Sequence, residues 1–263
     1  MRNLLRHLFA RNAYFTAVCA LLLGGFEYLL CAILATLDIS AGVQSILASA
    51  PPFLRSMMGE RMMDIANLKV FGWNHPVAQA VGAALAIVLG ARAVAGEIEN
   101  GAAELVMSQP FSRWSYYLAH AIHGSVALLA VSFAGVAGTL AGQNVYDIDK
   151  FAVPALLLLG LNYFLLQLAW FAVTLAFSAF ARESGRVTTS VFIIALVAFI
   201  VRAIGDLWTR TAWALPYTFY NYFSPKEILV DRAADARDFA VLAVVTLIAL
   251  TIGGVQFQRR DLP

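Results

Sequence analysis

Charge is scarce in this chain. Only 13% of its 263 residues are Asp, Glu, Lys or Arg, against about 25% in an ordinary soluble domain. Eighteen basic and sixteen acidic side chains leave a formal net charge of +2. That excludes the strongly basic face of a nucleic-acid binder, and the apolar content excludes a disordered chain. Lysine is rarest of all: Lys69, Lys150 and Lys226 make up the set, and none follows a glycine. The chain therefore lacks a GK[ST] P-loop and cannot hydrolyse ATP through a Walker A motif of its own. HExxH, GxSxG and CxxC are missing as well. The two cysteines, Cys19 and Cys31, stand twelve residues apart in one apolar run. On a helix that is about 18 Å, too far for a disulfide, so they say nothing of redox compartment.

What the chain has is apolar length: 61% of its residues are hydrophobic. A helix needs about 20 mainly apolar residues to cross a bilayer, and backbone groups in lipid must be satisfied internally. Six runs meet this, at about 15–37, 76–94, 119–141, 151–181, 187–204 and 239–257. They predict an all-α integral membrane protein with six transmembrane helices, in a single transmembrane domain over 1–263. The first run is too long for a signal h-region, and Leu47-Ala48-Ser49-Ala50 is followed by Pro51, a poor cleavage site. It is expected to stay as a signal anchor. Placing the N-terminus inside gives nine Lys or Arg on each side, a tie. The inner set, from Arg2, Arg6 and Arg11 to Arg259 and Arg260, sits in shorter segments against the helix ends, where the positive-inside rule weighs most. Both termini are therefore expected in the cytoplasm. External segments then cover 38–75 and 205–238, and no internal repeat supports an inverted-repeat transporter.

The stretch richest in signal is the expected cytoplasmic region 95–113. Gly101 can break the chain and let a short helix begin. Glu97, Glu99 and Glu104 put negative charge near its N-terminus; Leu105, Val106 and Met107 give it an apolar side, and Pro110 stops it. Ser112 suits the N-cap of the next helix, which enters the membrane past Trp114, Tyr116 and Tyr117. The plain alternative is an interfacial helix that only anchors the loop.

This stretch resembles the cytoplasmic signature of type-2 ABC exporter permeases, E-x-E-x-G-T-L-E-L-L-L-S-x-P-x-S-R. Glu97, Glu99, Gly101, Glu104, Leu105, Ser108, Pro110, Ser112 and Arg113 match it, while Ala102 and Ala103 replace the usual Thr and Leu. His120 stands near where a lysine is common. The ending Phe257-Gln258-Arg259-Arg260-Asp261-Leu262 is similar too. The resemblance implies the type-2 ABC exporter permease fold, and a coupling helix between helices two and three that docks on a separate ABC ATPase subunit. ATP and Mg would be held by that partner; the permease would work as a homodimer or with a similar permease. The implied location is a bacterial or archaeal cytoplasmic (inner) membrane, with the lipid bilayer as the other partner and no nucleic acid. Leu105, Val106 and Met107 would be the inserted side chains.

Other features bear on cargo. Glu27 lies mid-way along the first run, where an ionised side chain costs about 2.5–3.5 kcal/mol on insertion scales. It is either a pathway residue or a hydrogen-bonded structural one, with Arg202 as one conceivable partner. Four methionines, Met57, Met58, Met62 and Met63, share one external segment. Thioethers suit Cu(I), and a related branch of the family, the permease of the nitrous-oxide-reductase maturation system, is tied to copper delivery. Leu54, Met58, Met62 and Ile65 also form an ordinary apolar helical stripe, and an amphipathic surface helix is the preferred reading. His120 and His123, at i and i+3, lack a supporting carboxylate or cysteine pattern, so interfacial histidines are expected rather than a metal site. Seven aromatics between Trp208 and Phe223 suit either an interfacial element or a plain aromatic belt. Two other function classes compete with the permease: a stand-alone secondary transporter or channel using Glu27 as its ion or proton site, and a scaffold or intramembrane enzyme. The missing catalytic constellation and the short loops count against the last.

Overall fold

The computed structural model describes residues 1–36, 70–101 and 112–260. Six helices in it are long and apolar enough to cross a membrane. In chain order they are α1 (Arg2–Thr36), α2 (Pro76–Glu99), α3 (Arg113–Val145), α4 (Val153–Phe180), α5 (Ser184–Leu207) and α6 (Ala236–Arg259). No strand occurs among the described residues. The segment around Met57, Met58, Met62 and Met63, and the expected short helix with Glu104, Leu105, Val106, Met107 and Pro110, fall outside them.

Most of the helices, though not α4, outrun their apolar runs, because capping rather than hydropathy decides where a helix ends. α1 begins at Arg2, well before the run at Phe15, and its 35 residues span about 52 Å, far more than a hydrocarbon core of about 30 Å. Ser112 caps α3 as expected, its Oγ accepting from Ser115 N at 3.1 Å. Asp235 does the same for α6, accepting from Arg237 N at 2.8 Å. α2 and α4 begin with proline in the first turn, where the missing N–H costs nothing.

α2 and α4 form the centre, with 67% and 61% of their most apolar stretches buried; the figure for α5 is 17%. α1 lies along α3, while α4 packs against α6, α2 and α3. The α1–α3 contact is backbone on backbone: a Cβ on Gly138 would fall onto the Gly24 carbonyl, and one on Gly24 would come within 2.8 Å of Ala134 O. Lipid supplies no hydrophobic drive between helices, so close approach at small residues and interhelical hydrogen bonds hold the bundle. Gln79 Nε2 donates to Trp73 O (2.8 Å), Gln167 Nε2 to Gln79 Oε1 (3.3 Å), and Tyr163 OH to Ala78 O (2.6 Å).

The aromatic segment divides by burial. It forms two 3-10 turns, Thr209–Tyr217 and Phe219–Tyr222. Trp208, Trp213 and Tyr217 are exposed as in a belt, whereas Tyr220, Tyr222 and Phe223 are buried. Asn162 of α4 pins the second turn, donating to Tyr222 O at 3.0 Å and accepting from Ser224 N at 3.2 Å.

Candidate functional site

The up-and-down order of the six helices brings six ends to one face: the starts of α1, α3 and α5 and the ends of α2, α4 and α6. Arg2, Arg6, Arg11, Arg92, Arg113, Arg182, Arg186, Arg259 and Arg260 lie at this end. Beyond Ala91, α2 continues through a π-helical turn, Arg92–Gly96, into a last turn, Glu97–Glu99. Gly101 then closes it. Its φ is +69°, its N–H donates to Ile98 O at 3.1 Å, and among the described residues no atom beyond its chain neighbours lies within 4 Å of where a Cβ would stand. The left-handed backbone alone asks for glycine here.

Glu97 and Glu99 therefore end α2. Sequence reasoning had grouped them with a helix starting after Gly101; the hydrogen-bonded helix runs five residues beyond the apolar run that ends at Val94. The end of a helix is the unfavourable pole for a carboxylate, and both are spent on neighbours. Glu97 Oε1 lies 2.5 Å from Arg11 Nη1 of α1. Glu99 Oε2 accepts from Ser184 N at 2.9 Å and from Ser184 Oγ at 2.7 Å, which caps α5 from another helix. Arg113 Nη1 donates to the carbonyls of Gln258 (3.2 Å) and Arg260, at the end of α6. Arg260 Nη1 donates to Ala179 O (3.0 Å) and Ala181 O (2.8 Å), at the end of α4. Burial, then the nearby Arg182, holds the Arg260 guanidinium below its ordinary pKa. Anion on a helix start and cations on helix ends match the sign of the helix dipoles. Of the signature residues, Glu97, Glu99, Gly101 and Arg113 thus lie together at the arginine-rich end, on either side of 102–111.

Glu27 sits elsewhere, inside the bundle on α1, and is only 3% exposed. Thr139 of α3 reaches it, Oγ1 donating to Glu27 Oε2 at 3.5 Å. A Cβ on Gly72 would come within 2.6 Å of the same oxygen. Oε1 makes no hydrogen bond among the described residues, and neither do buried Trp73 Nε1 and Gln167 Oε1. His120 and His123 are both buried within the bundle. Their rings lie 4.7 Å from Tyr116 and 4.9 Å from Phe9, respectively. Among the described residues no three His, Cys, Asp or Glu converge. An apolar groove of about 530 Å³ is lined by residues of both α4 and α6, among them Val173, Phe177, Val245, Ile248 and Ile252.

Sequence reasoning missed Ser184, Arg260 as a cap, and Ser178, whose hydroxyl meets the π turn. Polar residues one step past a helix boundary are the readable signal for the first two. For Ser178 the sequence offers none.

The family model for the ABC-2 family transporter protein matches residues 10–262. No curated protein matches the chain. Six apolar helices and a family match over nearly the whole length lead to one conclusion: this multi-pass membrane protein belongs to the ABC-2 transporter family.

Proposed function

We propose that the chain is the transmembrane permease subunit of an ATP-driven exporter, dimeric and coupled to separate ABC ATPase subunits through the segment between α2 and α3. The family supports a transporter membrane component. The observation that carries the coupling reading is the set of ties on both sides of 102–111. On one side Glu97 and Glu99 reach α1 and α5; on the other Arg113 reaches α6, and Arg260 passes on to α4. A force on that segment enters α2 and α3 directly and reaches the other four helices through these four side chains. The ATPase would bring ATP and Mg, and the arginine-rich face would be cytoplasmic in a bacterial or archaeal inner membrane. The relation to the nitrous-oxide-reductase maturation permease, and with it a copper cargo, rests on Met57, Met58, Met62 and Met63.

The test is purification of the protein from its native membranes in mild detergent, with mass spectrometry of what co-purifies. A near-stoichiometric companion with a Walker A motif supports the reading. Its absence, under conditions that keep a known complex intact, removes it. Replacing Leu105, Val106 and Met107 by alanine should then leave the protein folded and uncouple transport from ATP hydrolysis.

One observation keeps a second reading in play. Glu27 is a buried carboxyl with an oxygen that makes no hydrogen bond among the described residues, and ionisable residues inside a membrane commonly mark ion or proton pathways, as a stand-alone transporter would have.

A further inference from the structure

In an uninterrupted α-helix the Ala95 N–H would donate to the carbonyl of Ala91. In α2 the hydroxyl of Ser178, on α4, stands between the two. It donates to Ala91 O at 2.9 Å and accepts from Ala95 N at 2.8 Å and Val94 N at 3.2 Å. Ser178 is fully buried, as are Ala91, Val94 and Ala95, so no solvent competes for these groups. A side chain inserted into the hydrogen-bond ladder is a known cause of helix distortion, and the distortion here is the π turn Arg92–Gly96.

The same atoms have a second satisfied arrangement. Serine in a helix can turn back onto the carbonyl four residues earlier. For Ser178 that is Thr174 O, and Thr174 itself makes this bond one turn before, to Trp170 O at 2.6 Å. With the hydroxyl withdrawn, Ala95 N–H closes directly on Ala91 O and the π turn becomes α. Taking up the extra residue rotates everything beyond by about 100° and advances it by about 1.5 Å. Beyond the turn lie Glu97 with its tie to Arg11, Glu99 with its tie to Ser184, and the chain into 102–111.

We propose that Ser178 is a positioning residue for coupling: its hydroxyl holds α2 in the π form, and its return to Thr174 O lets the end of α2 turn and carry the segment 102–111 with it. The last link, to coupling, rests on the permease reading above; the switch in α2 does not.

Two measurements separate these parts. The first is the distance between spin labels at Asn100→Cys and Gly185→Cys in the full chain in lipid nanodiscs. Both positions are exposed, and the native Cys19 and Cys31 are buried. The parent should give a single distance. Ser178→Ala should add a second population, and deleting Ala95 from that variant, which removes the extra residue, should restore one. A distribution unchanged by Ser178→Ala overturns the switch. If Ser178→Ala does not fold, the version lacking Ala95 must fold and give the parent distance, or the switch is again overturned. The second is transport per ATP hydrolysed in the complex with the co-purifying ATPase. It should fall about tenfold in Ser178→Ala, the shift that one net hydrogen bond sets, and recover on deletion of Ala95. A changed distance with an unchanged ratio refutes the coupling role. Should no ATPase co-purify, the permease reading fails while the distance measurement still decides the switch.

Discussion

Arg11→Gln and Glu97→Gln remove opposite halves of one ion pair, and their costs should differ. Arg11 Nη1 and Glu97 Oε1 are 2.5 Å apart, but the Arg11 side chain is 40% exposed and that of Glu97 only 11%. Without the guanidinium, Glu97 keeps a charge in a place nearly closed to water. Without the carboxylate, Arg11 turns into solvent through the side already open. A hydrogen bond to a charged group is worth about 1.5–3 kcal/mol net, and exposure discounts it. Arg11→Gln should therefore cost about 2 kcal/mol and Glu97→Gln about 1 kcal/mol. The double variant leaves no uncompensated charge and should cost no more than Glu97→Gln alone, a coupling of about 2 kcal/mol. The assay is denaturant unfolding of the purified protein in mild detergent, followed through its five tryptophans. Glu97→Gln costing as much as Arg11→Gln would refute the reasoning, as would single costs that simply add.

Gly138→Val should drive α1 from α3 and abolish the monodisperse protein on gel filtration, while Gly25→Ala, whose Cβ would meet no neighbouring element within 4 Å among the described residues, should be neutral or slightly stabilising. Asn162→Ala strips the partners from Tyr222 O and Ser224 N, a loss of about 2 kcal/mol that hydrogen exchange should register as lost protection across 217–229. Glu27→Gln retains an acceptor for Thr139, so ATP-driven transport in proteoliposomes should survive it. Transport without any ATPase, abolished by this variant, would instead favour the secondary transporter.

The six spans were legible because a bilayer imposes one length and one composition on every crossing segment, and the runs from Phe15 to Phe257 meet both. Their ends were less so. Hydropathy registers where lipid stops, whereas Ser112, Asp235 and Gly101 register where hydrogen bonding stops, and the two differ by as much as thirteen residues at Arg2. Small-residue spacing on α3, at Gly135, Gly138 and Gly142, could have pointed to the close contact with α1, since membrane helices approach at such positions. The π turn could not be found this way. RAVAG carries no proline and no unusual pattern, and the residue that distorts it is a serine more than eighty positions later in the chain. Local sequence states propensity; a hydroxyl inserted from another helix is a tertiary fact.

The candidate site divides along the same line. The pattern of Glu97, Glu99, Gly101 and Arg113 could be matched to a family signature, yet pattern alone did not show what these side chains touch. Each of the three charged ones is engaged within this chain, Glu99 and Arg113 on the backbone of other helices and Glu97 on Arg11. Loss of transport on replacing one of them would thus follow from a loosened bundle as readily as from a lost ATPase contact. The two causes part in their thermodynamics. A structural tie shows in unfolding of the isolated chain and in coupling to its partner residue, as for Arg11 and Glu97. A docking contact leaves isolated-chain stability intact and lowers transport only in the complex. Leu105, Val106 and Met107 should behave in the second way and Glu97, Glu99 and Arg113 in the first, so comparing the two sets separates the platform from the surface it presents.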